Sequence, residues 1–291
     1  MVRAPAAGYI RGVSGTAHRW LAAALVIMAG ALAANSLSGP LAFDLIDYPF
    51  SETVRNQGIG LEFISISLVA PWSLVAAVLI WGSRTPYAPV LAVAPGGYTA
   101  YMMAQYIVGP NYLVYPHVLP LHLALFLLGG GTALAGWSLC SPSAFARPRR
   151  LSRYGYLAAG LALFVVSRYL AAFAGSATEE PLPGEFADDP AIFWTIVLLD
   201  LGVVVPAAVV TAIALFQRRP GAAKALYALT GWFTLVPVSV AAMAIVMLIN
   251  DDPHKSTASA VIFTVAATLF TLFAAWVHVR LAGHQSAPGE R

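Results

Sequence analysis

At 291 residues, with 59% hydrophobic and 10% charged side chains and a mean hydropathy of +0.75, the chain is far more apolar than a soluble domain, in which about 25% of residues are charged. A soluble fold of this length cannot hide so much apolar surface, whereas a bilayer can, so the class is an all-α integral membrane bundle. The net charge of +3 is modest and suggests no nucleic-acid partner, and the single cysteine, Cys140, excludes an intramolecular disulfide and a multi-cysteine metal site.

Eight transmembrane helices are expected, near 18–38, 61–82, 88–108, 119–139, 153–174, 191–216, 224–250 and 257–281, forming one transmembrane domain over 1–291. The first has the basic leader and apolar core of a signal peptide, but its apolar run continues to about Ser38, and we read it as a span. Each run is long enough, at about 1.5 Å per residue, to cross a hydrocarbon core of about 30 Å. Backbone groups in lipid must be satisfied within the segment, which makes the spans helices.

The loops alternate in charge. One set carries Arg3, Arg11 and Arg19, then Arg84, then Arg147, Arg149, Arg150 and Arg153, then Arg218, Arg219 and Lys224, and finally Arg280 and Arg291. The other carries Asp44, Asp47, Glu52, Glu179, Glu180, Glu185, Asp188, Asp189, Asp251 and Asp252, against Arg55 and Lys255. By the positive-inside rule both termini are expected to be cytoplasmic in a bacterial-type plasma membrane. The acidic loop SATEEPLPGEFADDP reads as a solvated segment.

The second and sixth spans echo one another. Each places a carboxylate (Glu62, Asp200) ahead of a proline (Pro71, Pro206) and an apolar run into a basic loop. Four spans preserve direction, so a duplication would be a parallel 4+4 repeat; against it stands the ease with which apolar segments resemble each other.

The third span, together with the loop and the start of the fourth span, reads VLAVAPGGYTAYMMAQYIVGPNYLVYPHVLPLHLALF and is the densest polar and aromatic stretch at membrane depth. Tyr98, Tyr101 and Gln105 fall at i, i+3 and i+7, on one helix face, just after the helix-loosening Pro95-Gly96-Gly97. A hydroxyl as deep as that of Tyr98 needs a partner, either in packing or across a cavity. Ionisable residues inside spans are costly and face the bundle interior. Here they are Glu62, Arg168, Asp200 and His122, with Asp200 deepest, and His18 and His278 near the cytoplasmic ends of the first and last spans. Arg168 with a carboxylate can be a buried ion pair that sets helix register, or a site in which Arg168 holds an anionic group while Asp200 takes a proton or cation; Arg168 and Glu62, but not Asp200, can also snorkel to the interface.

HExxH, GxSxG, Walker and CxxC motifs do not occur. Nothing points to a metal site or identifies a cofactor. The stretch GGYTAYMMAQYIVG, with Gly97, Tyr98, Tyr101, Tyr106 and Gly109, resembles the GYxxYxxxxYxxG signature of an uncharacterised bacterial polytopic membrane-protein family. Asp200 and Pro206 ahead of a basic loop, and Glu62 in the second span, match it too, while Ala94 departs where a glycine is usual and the loop after Gly109 is longer. The resemblance implies architecture and carries no activity.

The leading expectation is a small-solute or proton-coupled transporter with a polar cavity in its outer half. Its path residues would be Asp200, Arg168, Glu62, Tyr98, Tyr101, Gln105 and His122. The alternatives are a membrane-embedded enzyme or haem- or quinone-binding redox protein using His122, Tyr98 and Arg168, and a structural or sensory membrane component.

Overall fold

The computed structural model describes residues 7–82, 86–145, 151–178, 182 and 184–282. Arg3, Arg84, Arg147, Arg149, Arg150, Glu179, Glu180 and Arg291, which contribute to the expected charge alternation, lie outside the described residues. Among the described residues eight helical rods follow one another: α1 (Ala7–Ser38), α2 (Glu52–Trp81), α3 (Val93–Val108), α4 (Leu119–Leu139), α5 (Leu151–Ala177), α6 (Pro190–Phe216), α7 (Ala222–Ile249) and α8 (Thr257–Ala282). Seven of them are long and apolar enough to cross a membrane.

The exception is α3, where a full span was expected over 88–108. A 3₁₀ turn at Ala88–Ala92 precedes a 16-residue α-helix. Two prolines explain the change: Pro89 opens the 3₁₀ turn, and Pro95 has no N–H to give the carbonyl of Leu91. That carbonyl instead accepts the indole Nε1–H of Trp72 at 3.1 Å, which meets the requirement that backbone groups in lipid be paired.

Two other spans keep their direction but change register inside. In α2 the helix widens to a π-turn at Ser65–Val69, closed by Ala70 N–H to Ser65 O, and Pro71 follows at once. In α6 the π-turn is Asp200–Val204, closed by Val205 N–H to Asp200 O, and Pro206 follows at once. Widening by one residue moves the carbonyl with which each proline ring would clash. A third span, α5, breaks at Arg168–Tyr169 between helical pieces Leu151–Ser167 and Leu170–Ala177.

Neighbours in sequence pair in space: α1 with α2, α3 with α4, α5 with α6 and α7 with α8. The pairs join through α7, which packs on α2 and α3, and through α3, which meets the first part of α6. Glycines set the close approaches. A Cβ on Gly60 would stand 2.6 Å from Met243 N, so only glycine lets α2 lie against α7. A Cβ on Gly129 would stand 2.7 Å from Gly96 O and 2.8 Å from Ala100 N, fixing α4 on α3.

Polar contacts tie the loops together at each end of the bundle. At the acidic end Ser51 N–H donates to Asp189 Oδ2 (2.9 Å), Asn56 Nδ2 to Asp252 Oδ2 (2.8 Å) and Thr53 Oγ1 to Asp252 Oδ1 (3.1 Å). At the basic end Lys224 Nζ donates to the carbonyls of Trp137 (2.6 Å) and Cys140 (2.9 Å), placing a cation on the unpaired C-terminal carbonyls of α4.

Forcing α3 and α4 apart should loosen the bundle. Gly129→Val is expected to cost about 1–3 kcal/mol, the usual penalty of overpacking, read as a lower unfolding temperature of the detergent-solubilised protein.

Candidate functional site

The site begins where the backbone departs from regular helix. Asp200 opens the π-turn of α6, Tyr169 sits at the break in α5, and Tyr101 lies two turns beyond Pro95 in α3. Their side chains meet: Tyr101 donates its hydroxyl to Asp200 Oδ1 (2.7 Å) and Tyr169 donates to Asp200 Oδ2 (2.5 Å). Each carboxyl oxygen of a residue only 8% exposed thus receives a short phenol hydrogen bond.

Arg168, the expected ion partner, does not bind the carboxylate; no N···O contact within 4.0 Å joins the two. Its guanidinium is exposed and lies 6.0 Å from the Tyr169 ring centre. Asp200 is therefore satisfied by neutral donors, leaving a cation beside it with no ion-pair partner among the described residues.

These residues border one cavity of about 230 Å³ between α2, α3, α5, α6, α7 and α8. The sequence-expected Tyr98, Tyr101, Gln105, Arg168 and Asp200 all line it. Tyr98 is both packed and cavity-lining: it is 1% exposed, and its hydroxyl meets Ser239 Oγ of α7 at 2.7 Å. Toward the acidic end the cavity is bounded by Gln57, Glu185 and His254, and Gln57 Nε2 donates to Glu185 Oε2 at 3.0 Å.

Glu185 belongs to the segment read from sequence as a solvated acidic loop, and it is partly buried here. Burial raises its carboxyl above the ordinary carboxylate range, against the opposing pull of His254 and Arg168. Gln57, Glu185, His254, Ser239 and Tyr169 escaped the sequence reading. Only Tyr169 carried a signal, as the neighbour of the charge that interrupts α5.

Glu62 and His122 lie elsewhere, in a second polar cluster among α1, α2, α3 and α4. Glu62 accepts Leu41 N–H on Oε2 (3.0 Å) and is 2% exposed. His122, fully buried, meets Asn35 Oδ1 at 3.0 Å and the Tyr48 hydroxyl at 3.3 Å through Nε2. Its ring stacks with those of Tyr48 and Tyr106, at centroid distances of 5.9 and 5.4 Å. Tyr48, in the loop after α1, has its phenol pushed up by burial and by the nearby Glu62. Glu62 Oε1, Tyr106 Oη and His122 Nδ1 have no hydrogen-bond partner among the described residues.

The helices and the polar interior define the class: a multi-pass helical membrane protein. Comparison with family models, curated proteins and solved structures finds no match, so the likeness of the third span to a bacterial membrane family rests on its motif residues alone.

Two outcomes are expected from this geometry. Tyr101→Phe and Tyr169→Phe should each lose about 1.5–3 kcal/mol, the worth of a hydrogen bond to a charged group, and the double variant more than the sum, since the carboxylate is then left bare. Unfolding in detergent measures this, and wild-type stability in both single variants would contradict it. The raised carboxyl of Glu185 binds its proton more tightly folded than unfolded. Its contribution to stability is therefore present below the ordinary carboxylate range and is lost as pH rises through the raised folded value. Glu185→Gln should flatten that slope in a pH series of unfolding temperatures.

Proposed function

We propose that the chain is a proton-coupled transporter of a small solute bearing an anionic group. One observation carries the reading: a carboxylate at membrane depth, clamped by two phenols and not by the arginine beside it, lines a cavity together with that arginine. Ionisable residues inside spans are costly, face the bundle interior and are by default candidates for proton and substrate pathways.

In this mechanism Arg168 receives the anionic group of the solute, while Tyr98 and Gln105 form the polar wall. Asp200 takes up the proton. As a carboxylate it accepts from both Tyr101 and Tyr169; once protonated, one of its oxygens carries an O–H that needs an acceptor, and the phenol on that side supplies one by turning its own hydroxyl toward the cavity. Proton uptake is thereby coupled to a change in the wall that faces the solute. Gln57, Glu185 and His254 stand at the mouth.

The direction we assign puts the acidic end outside and both termini in the cytoplasm of a bacterial-type plasma membrane, with α3 as an eighth, short crossing. The alternation of basic and acidic loops supports this. We further propose that α1–α4 and α5–α8 are parallel repeats. Support comes from the matched π-turn and proline in α2 and α6, and from the matched pairings α1–α2 with α5–α6, α3–α4 with α7–α8, and α2–α7 with α6–α3. In that register Asp200 corresponds to Ser65 rather than to Glu62.

Proteoliposomes with a trapped pH-sensitive dye test the function. With small carboxylates supplied on one side, wild-type protein should carry protons inward with at least one of them. Asp200→Asn should abolish the flux, and Arg168→Gln should weaken it chiefly by raising the solute concentration required. Unchanged flux in both variants would overturn the assignment.

A further inference from the structure

A second cavity, larger than the polar one at about 860 Å³, lies between α3, α4, α6 and α7. It runs along α6 from Leu199 to Ala214, about 22 Å at helical rise, more than half of a hydrocarbon core of about 30 Å. Small side chains on the facing helices, Gly97 and Ala100 among them, give it depth. The ring of Tyr101 lines both cavities and so stands between this slot and the Asp200 cavity, and past the end of α6 the slot is lined by Arg219.

The walls offer water almost nothing. The Tyr101 hydroxyl is bonded to Asp200 and the Thr211 hydroxyl to Ala207 O at 2.7 Å. A water needs two to four polar partners, so the slot stays dry, and left empty it would forfeit dispersion contacts along its whole lining. Its wall residues Val203 and Val210 are 59% and 65% exposed, so its rim opens sideways from the bundle, where hydrocarbon is the surrounding medium. Its volume lies within the range of about 300–1,000 Å³ typical of small-molecule sites.

The end at Arg219 adds a charge. Arg218 and Arg219 are exposed there, and Arg219 Nε contacts Gln217 Oε1 at 2.6 Å, a neutral partner. Nearby on α7, Lys224 adds a third cation to the same end of the bundle. A dry apolar slot somewhat longer than the hydrocarbon of a single leaflet is deep, ending at Arg219, complements one kind of molecule. We propose that it binds an anionic phospholipid, with one acyl chain along α6 toward Tyr101 and the phosphate at Arg219.

This site stands apart from the transport reading and is tested without it. Purified full-length protein in mild detergent is given phosphatidylglycerol or phosphatidylcholine of identical chains, and retained lipid is counted by native mass spectrometry. Wild-type protein should keep phosphatidylglycerol about fivefold better, the worth of one basic residue near an anionic head group. Arg219→Gln should erase that preference while retaining both lipids. Ala207→Phe, which fills the slot from its exposed wall, should lose both. Equal retention of the two lipids by wild-type protein overturns the proposal without any variant, and so does undiminished retention by a folded Ala207→Phe protein.

Discussion

A carboxylate carried into a helical bundle must meet donors there, and the way Asp200 meets them organises the middle of this protein. Two phenols reach it from α3 and α5. The π-turn of α6 begins at Asp200, and the break of α5 falls at Tyr169 itself. Irregular backbone is tolerated at membrane depth only where protein or a cavity surrounds it, and here it surrounds one.

The same constraint explains how the prolines are accommodated. Pro95 strips Leu91 of its intrahelical donor, and Trp72 supplies another from α2. Pro71 and Pro206 are each preceded by a turn widened by one residue. Every such adjustment re-aims what lies beside it: α3 is shortened and its tyrosine face turned toward α6 and α7, and α6 turns Asp200 inward. Backbone irregularity and polar interior are two sides of one arrangement.

Polar groups of the bundle therefore sort into two places. The Asp200 cavity is bounded toward the acidic end by Gln57, Glu185 and His254, held by loop contacts that also fasten Asp252 and Asp189 to the start of α2. The Glu62–His122 cluster is a separate, tightly stacked knot on the other side of α3, with three buried polar atoms unpaired among the described residues. Tyr98 and Tyr106, on the same helix, serve the two places separately. Tyr101 has a further position, between the polar cavity and the apolar slot.

How much of this was legible in the chain depends on the range of each interaction. Apolar run length and helical periodicity are local, so composition alone determined a multi-pass helical bundle, and the i, i+3, i+7 spacing put Tyr98, Tyr101 and Gln105 on one wall. The cost of burying charge is also a property of the residue itself, which marked Asp200 and Arg168. The depth of Glu62 and His122 was equally readable, but which helices they face is not local, and the fold sent them to a different cluster. Tyr169, Gln57, Glu185 and His254 joined the site through contacts across 31 to 201 positions of sequence, from Tyr169–Asp200 to Thr53–His254. Only the packing of α5 and α6 and the docking of the loops decided that Asp200 would be met by phenols and Arg168 left beside it, because the partner of a buried charge is chosen by which helices lie next to each other, and that is a tertiary fact.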